Sequence, residues 1–162
     1  MHTQFRQLPL IMLCAVALFG LHAAWASAQD PQPAAATDPV VQELGEKASL
    51  FLDRVAGDEA DEAFAALLEG GQLAKRTTAV KSLIEKANQL QEKYGEYRAS
   101  EQLAAARVGN DLVLIKFLFK CQYYPVVWHF TFYRNFQRTA DDGDDWIVIG
   151  VRFDTQLEQL GL

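Results

Sequence analysis

Residues 126–136 (VVWHFTFYRNF) alternate between two sets of side chains. One set is almost entirely aromatic or aliphatic and comprises Val126, Trp128, Phe130, Phe132, Arg134 and Phe136. The other set is more polar and comprises Val127, His129, Thr131, Tyr133 and Asn135. A period of two residues is typical of a β-strand with one face against a core. Burial of each ring removes about 150–250 Å² of surface from water, which stabilises the fold by ~25 cal/mol per Å². The pattern therefore predicts a strand whose ring-bearing face packs against a second layer.

Three other segments are predicted to be antiparallel strands of the same sheet, namely 96–108 (EYRASEQLAAARV), 112–120 (LVLIKFLFK) and 146–154 (WIVIGVRFD). The first is the weakest, because its alanine run could equally extend a helix. Polar, glycine or proline residues predict turns between strands at 109–111 (GND), 121–125 (CQYYP) and 137–145 (QRTADDGDD). Continued alternation predicts the core-facing residues of the later strands as Val113, Ile115, Phe117, Phe119, Ile147, Ile149, Val151 and Phe153.

Residues 40–95 carry apolar side chains at spacings of three and four, as amphipathic helices do. Glycines divide this segment into three predicted helices, which end at Gly57, Gly70–Gly71 and Gly95. Asp58 is predicted to cap the second helix, and residues 77–78 (TT) the third, because a side-chain oxygen can accept from the free amides of a first turn. Three N-terminal helices followed by about four hairpin-linked strands predict an α+β fold, with the helices packed on one face of the sheet.

The first 28 residues have the layout of a secretory signal peptide. An uncharged apolar run over residues 8–21 is followed by small residues and a predicted cleavage site after Ala28. The run is shorter than the ~20 residues of a spanning helix, which disfavours the alternative of an uncleaved anchor. The predicted organisation is a signal peptide over 1–28, a flexible linker over 29–39 and a single domain over 40–162. We expect an exported protein, periplasmic or secreted, with no membrane span after cleavage.

Charge and cysteine content narrow the classes of function. Removal of residues 1–28 takes away one basic residue, Arg6, and no acidic ones, so the net charge changes from −6 to −7. An acidic chain without a Lys/Arg cluster is a poor ligand for nucleic acid, which binds through several neighbouring cations. Cys121 is the one thiol left after cleavage, so no disulfide can form within the chain and burial must stabilise the fold.

Two segments of the chain resemble a known family of folds. In FLDRVAGDEADEAFAALL (residues 51–68), Gly-Asp joins two helices and an aromatic residue lies in the second. In DDGDDWIVIGVRF (residues 141–153), a polar turn leads into Trp, alternating apolar residues and Gly. Both are similar to the nuclear transport factor 2-like superfamily, over about residues 40–155. The resemblance implies a curved sheet that wraps a long helix into a cone, a pocket that the cone often encloses, and a convex sheet face that often forms a dimer.

Members of that superfamily include steroid isomerases, polyketide cyclases, dehydratases, transport adaptors and secreted domains without apparent catalysis, so the fold alone implies no single activity. Candidates for lining a pocket inside the cone are Tyr97, Phe117, Phe119, Trp128, Phe130, Phe132 and Arg134. The alternative of an isomerase, cyclase or dehydratase would need an acid or base there, for which Glu101, Tyr97 or Tyr124 are candidates. No set of acid, base and oxyanion donor can be assembled, and we predict no catalytic residue.

No metal or cofactor site is predicted. His129 has no His, Cys or carboxylate partner at ligand spacing. The acidic turn at 141–145 (DDGDD) lacks the closing Glu of a calcium loop, so a solvated hairpin is the favoured interpretation.

The other face of the sheet is predicted to be too apolar for contact with solvent alone. It carries Lys116, Lys120, His129, Thr131, Tyr133 and Arg152 together with Leu112, Leu114, Leu118, Trp146 and Val148. The candidates for an interface are Leu114, Leu118, His129, Tyr133, Trp146 and Val148. We expect a homodimer through this face, or alternatively that residues 155–162 (TQLEQLGL) fold over it. The leading hypothesis is a secreted non-enzymatic domain that self-associates or binds a small apolar ligand or a protein partner.

Overall fold

The structure is a computed structural model that describes residues 38–135 and 145–156. Its elements are α1 (Pro39–Ala56), α2 (Ala60–Leu67), a 3-10 turn (Gln72–Lys75), α3 (Thr77–Asn88), α4 (Leu90–Tyr94), β1 (Tyr97–Val108), β2 (Leu112–Cys121), β3 (Val126–Arg134) and β4 (Trp146–Asp154). Four predictions lie wholly or mostly outside the described residues, namely the signal peptide 1–28, the linker 29–39, the loop 137–145 with its DDGDD turn, and the segment 155–162.

The described chain is α+β, as predicted, but it has four α-helices rather than three. The predicted third helix is divided at Gln89, whose backbone amide donates to the carbonyl oxygen of Lys86, three residues earlier, in place of the four-residue spacing of an α-helix. A new helix, α4, then begins at Leu90, whose side chain is buried. None of the helices in this part of the chain has the length and apolarity to cross a membrane.

The turn between α1 and α2 differs from its prediction. Asp58 has a left-handed backbone (φ 62°), and its carboxylate accepts a hydrogen bond from Gln91 Nε2 at 3.2 Å, so it does not cap α2. The Gln91 amide also donates to the carbonyl oxygen of Ala56 at 3.0 Å, and its Oε1 accepts from the backbone amide of Tyr97 at 3.1 Å. Gln91 therefore joins the α1–α2 turn to α4 and β1. Residues 77–78 are likewise inside α3 and do not cap it.

The four strands form one antiparallel sheet in the order β1-β2-β3-β4, including β1, for which the sequence left a helix open. β2 and β3 pair without interruption from Leu112 opposite Tyr133 to Phe119 opposite Val126. Because this pairing is regular, the predicted alternation is confirmed along both strands. The core-facing residues of these two strands are Val113, Ile115, Phe117, Phe119, Val126, Trp128, Phe130 and Phe132.

A β-bulge interrupts the pairing of β3 with β4. Thr131 lies opposite Gly150, but the next residue of β3, Phe132, lies opposite Val148. Ile149 is therefore the extra residue on β4, and side chains on the N-terminal side of the bulge change faces.

The bulge overturns the predicted faces of four residues in β4. Trp146 and Val148, which were predicted as interface residues on the outer face, lie in the hydrophobic core. Ile149, which was predicted to face the core, is 46% exposed. Ile147, also predicted to face the core, lies opposite Tyr133 on the outer face. Beyond the bulge, the predicted alternation holds again for Val151 and Phe153.

Aromatic rings of α1 and α2 pack directly against rings of the sheet. The centroid of the Phe51 ring lies 4.9 Å from that of Phe64, 5.3 Å from that of Trp128 and 5.6 Å from that of Phe130, each edge to face. Among the described residues, none that is polar or charged is buried, and the indole N–H of Trp128 has no hydrogen-bond partner. The core therefore depends on ring packing and apolar burial.

An ion pair joins the start of α1 to the end of β1. Arg107 Nη1 donates to Asp38 Oδ2 at 2.7 Å, while Asp38 Oδ1 accepts from the backbone amide of Val40 at 3.0 Å. Arg107 Nη2 also donates to the carbonyl oxygen of Asn110 at 3.0 Å. The hydrogen bond from Arg107, helped by the amide of Val40, lowers the pKa of the Asp38 carboxyl group.

We expect Asp38→Asn to lower the urea midpoint of unfolding at pH 7, because it removes the anion that Arg107 and the first turn of α1 share. The folded pKa of Asp38 lies below the unfolded one, so its contribution to stability is present above the unfolded pKa and is lost as the pH falls through the folded pKa. Urea unfolding at pH 7 and at pH 3 should therefore show a smaller difference between variant and wild type at pH 3. The control is Glu85→Gln on the exposed face of α3. A difference for Asp38→Asn that is equal at both pH values would contradict this assignment.

Candidate functional site

The predicted pocket residues lie in two different environments. Five of them, Phe117, Phe119, Trp128, Phe130 and Phe132, are buried members of the core. Tyr97 is half-buried beside Phe119, with ring centroids 4.6 Å apart, and its hydroxyl donates to Asp53 Oδ1 at 3.4 Å. Arg134 lies at the end of β3, where its Nη2 is 3.6 Å from Asp145 Oδ2. The structure therefore brings the five rings together inside the fold and places the two polar candidates at its margins.

The three candidates for an acid or base do not meet. Glu101 lies opposite Leu118 on the outer face and forms an ion pair with Lys120. Tyr97 lies on the opposite face of β1, against the core. Tyr124 is exposed after β2, and its hydroxyl donates to the carbonyl oxygen of Thr155 at 3.3 Å. No pair of these groups could act on one substrate in this arrangement.

Exposed apolar side chains gather on the outer face of the sheet, the face opposite the helices. Leu114 and Tyr133 are each 40% exposed there, and Ile149 at the bulge is 46% exposed. We call these three residues the apolar patch. Leu118 and His129 lie half-buried on the same face. Strict alternation does not place Ile149 on this face, although a glycine inside a strand, Gly150, is a sequence signal for a bulge.

Three nitrogen-bearing side chains form a line across the outer face. Lys116 on β2 lies directly opposite His129 on β3, which lies directly opposite Arg152 on β4. Residues in such positions have Cβ atoms about 4.5–5.5 Å apart. We call these three residues the basic row.

A groove of about 230 Å³ lies along the basic row. It is lined by Leu114, Ile115, Lys116, His129, Phe130, Thr131 and Arg152. Gly150 lies opposite Thr131, and a Cβ atom at Gly150 would lie 3.4 Å from Thr131 Oγ1. Because glycine has no side chain, the surface next to Thr131 is open at this position.

His129 is largely shielded from solvent, with 16% of its side chain exposed. Burial lowers the pKa of the imidazole, and the cations of Arg152 and Lys116 lower it further, while the Asp154 carboxylate raises it. Asp154 Oδ2 lies 3.7 Å from His129 Nε2. Since the net shift is downward, the imidazole is neutral at pH 7 and offers one donor and one acceptor nitrogen.

His129 is the one histidine in residues 29–162, so a single imidazole signal reports its titration by NMR. We expect a pKa below the ordinary value of ~6.5, raised by Arg152→Gln and lowered further by Asp154→Asn. Because the folded pKa lies below the unfolded one, the contribution of His129 to stability is present above the unfolded pKa and is lost as the pH falls through the folded pKa. Lys81→Gln, on the exposed face of α3, is the control. A pKa that neither sheet substitution moves would contradict the basic row.

Three other cavities that are lined by described residues border the helices. They have volumes of about 160 Å³ between α1 and α2, about 280 Å³ between α4 and Phe153, and about 170 Å³ beside α2 and α3. None of these three is lined by a residue that the sequence predicted for the pocket or the interface. The groove along the basic row, which includes Leu114 and His129 from that prediction, is therefore the candidate site.

No group of three or more His, Cys, Asp or Glu side chains in the described ranges is arranged to hold a metal ion. Cys121 is half-buried, and burial raises the pKa of its thiol, which disfavours the thiolate needed for nucleophilic attack. No protein-family model matches the chain, and no curated protein or solved structure matches it either.

Proposed function

We propose that the chain is an exported, non-catalytic domain that acts by association through the outer face of its sheet, with a second copy of itself as the partner. The observation that carries this proposal is the apolar patch. Leu114, Tyr133 and Ile149 expose 40%, 40% and 46% of their surfaces on one face of one sheet. An exposed group of large apolar side chains is typical of an interaction surface.

The position of the apolar patch favours pairing about a two-fold axis. Thr131 lies between its members, because it pairs with Leu114 on β2 and with Gly150, the neighbour of Ile149, on β4. A two-fold axis near Thr131 would let each copy cover the patch of the other, since one surface then meets itself.

The core supports a non-catalytic role. In the described chain, the buried interior consists of apolar side chains. Of the candidate acids and bases, Glu101 and Tyr124 lie away from this core, and Tyr97 packs at its margin. General acid–base chemistry would need such a group within hydrogen-bond reach of a bound substrate. The isomerase, cyclase or dehydratase alternative is therefore less favoured by the geometry.

The architecture and the N-terminus support the remaining parts of the proposal. Helices that precede a four-stranded antiparallel sheet are consistent with the nuclear transport factor 2-like superfamily, whose convex sheet face often forms a dimer. The apolar run of residues 8–21 and the small residues before Gln29 support export. When the full sequence is expressed in a secreting host, the mature chain should begin at Gln29 by mass spectrometry.

Sedimentation velocity on residues 29–162 tests the association. We expect twice the monomer mass at roughly 50 µM, and we expect Ile149→Lys and Tyr133→Lys each to weaken the dimer at least about tenfold, because a charge would be buried in the interface. The matched control is Leu50→Lys, which places the same charge at a 54% exposed leucine on α1. A monomer at this concentration, or an equal effect of Leu50→Lys, would overturn the proposal.

A further inference from the structure

We propose that the groove along the basic row binds a small organic carboxylate, with the carboxylate between Lys116 and Arg152 and a short apolar tail against Leu114. Lys116 and Arg152 approach the site from the strands on either side of β3. The groove overlaps the proposed dimer surface, because Leu114 belongs to the apolar patch and Thr131 lies between the patch residues. Carboxylate binding and self-association would therefore compete for this face.

The pairing of cations across the described sheet singles out these two residues. Six basic residues lie on the strands, and four of them are paired with carboxylates, namely Arg98 with Glu96, Arg107 with Asp38, Lys120 with Glu101 and Arg134 with Asp145. Among the described residues, no carboxylate forms an ion pair with Lys116 or Arg152. Within the described strands, the two cations without a carboxylate partner are therefore the two that flank His129.

The two cations of the basic row face one site from opposite sides. Lys116 and Arg152 lie on β2 and β4, on either side of His129, and both act on the imidazole in the direction of a lower pKa. Asp154 offsets this partly, but the atom it approaches is Nε2 of the histidine, at 3.7 Å. A bound carboxylate would lie between the two cations and accept charge-assisted hydrogen bonds from both.

The shape of the groove fits a ligand with one charged end and one apolar end. The basic row forms one side, and Leu114 lies two residues from Lys116 on the same face. Thr131, between Leu114 and Gly150 across the sheet, supplies a hydroxyl that can donate to a second carboxylate oxygen. The volume of about 230 Å³ is below the ~300–1,000 Å³ of sites for drug-sized molecules, so the expected ligand is small.

The neutral imidazole contributes hydrogen bonding without adding a third full charge at pH 7. His129 lies between the two cations and presents one N–H. Inorganic phosphate could meet the same cations but would leave the apolar side of the groove without a contact. The comparison of carboxylates of increasing length with phosphate therefore separates this ligand class from simple anion binding.

The test is a titration of isotope-labelled residues 29–162, followed through the backbone amides of Thr131 and Gly150. The probes are acetate, butanoate, hexanoate, hexanol and inorganic phosphate at constant ionic strength and pH 7, at two protein concentrations so that self-association is separated from binding. We expect hexanoate to bind more tightly than butanoate, by up to roughly fourfold for each methylene that the groove covers. Hexanol should not shift these amides.

Matched variants locate the site. Lys116→Gln and Arg152→Gln should each weaken hexanoate binding at least about tenfold, because each removes a charge-assisted hydrogen bond. Lys81→Gln removes the same charge from the exposed face of α3 and should leave binding unchanged. The proposal would be overturned if phosphate bound as tightly as hexanoate, or if hexanol bound. It would also be overturned if hexanoate shifted neither amide at the highest concentration used, or if neither sheet substitution weakened binding.

Discussion

Phe51→Ala is expected to lower the free energy of unfolding by about 3–5 kcal/mol. The side chain is 3% exposed, and its ring contacts those of Phe64, Trp128 and Phe130 edge to face. Truncation therefore removes buried apolar surface and three ring contacts together, and it leaves a cavity between the helices and the sheet. Since small domains have a total stability of about 5–15 kcal/mol, this substitution should shift the urea midpoint strongly.

The adjacent residue provides the control for Phe51. Leu50 is on the same helix but 54% exposed, so Leu50→Ala should change stability by no more than about 0.5 kcal/mol. Phe51→Leu, which retains most of the buried volume, should fall between the two and keeps the comparison possible if the alanine variant does not fold. A loss for Phe51→Ala equal to that of Leu50→Ala would show that α1 does not pack on the sheet as described.

Gly95→Ala is expected to cost about 3 kcal/mol or more, the second-largest effect of a single substitution. Gly95 has φ 86° and ψ 174°, a region that is nearly restricted to glycine and costs other residues about 1–3 kcal/mol. A Cβ atom there would also lie 2.7 Å from Cβ of Gln122 and 2.9 Å from the ring of Tyr123. The backbone cannot easily move away, because the Tyr123 amide donates to the carbonyl oxygen of Tyr94 at 2.9 Å.

Gly109 separates backbone strain from collision. It also has a positive φ, 63°, but no atom lies within 4 Å of a Cβ atom placed there. Gly109→Ala should therefore cost only the left-handed backbone term, about 1–2 kcal/mol. Urea unfolding of both variants measures the difference. Equal losses of unfolding free energy would mean that residues 122–123 do not collide with a side chain at position 95.

Much of the sheet could be predicted from sequence, because a regular strand pair preserves a period of two residues over its whole length. The alternation in β2 and β3 identified the core-facing residues correctly, since no residue is inserted between Leu112 and Phe119 or between their partners. In β4, a single extra residue at Ile149 changed the face of Trp146 and Val148. Periodicity gives relative positions along a strand, and one inserted residue alters all positions on one side of it.

In the helical half, prediction from sequence was limited by contacts between residues that are distant along the chain. Asp58 has the residue type and position of an N-cap, but its carboxylate accepts from Gln91, which lies 33 residues later. A local pattern does not contain this contact, because the partner comes near only when α4 and β1 have packed. The division of the third helix at Gln89 is a similar case, since Gln91 then serves both the α1–α2 turn and the start of β1.

The candidate site was partly predictable. Alternation placed Lys116, His129 and Arg152 on the outer face, and the structure has them there. Their alignment into one row depends on the registers of two strand pairs, which sequence periodicity does not supply. The missing ion pairs of Lys116 and Arg152 could be recognised only once the partners of the other cations on the sheet were known.

β1 forms one edge of the four described strands, and its irregular form limits how copies of the chain can assemble. Its pairing with β2 is displaced between Tyr97 and Ala99 and again between Gln102 and Ala104. Arg98, Glu101 and Arg107 are spread along it. An incoming strand would meet kinked backbone and charged side chains, both of which hinder the continuous hydrogen bonding of a fibril. Pairing of a further strand along this edge is thus opposed.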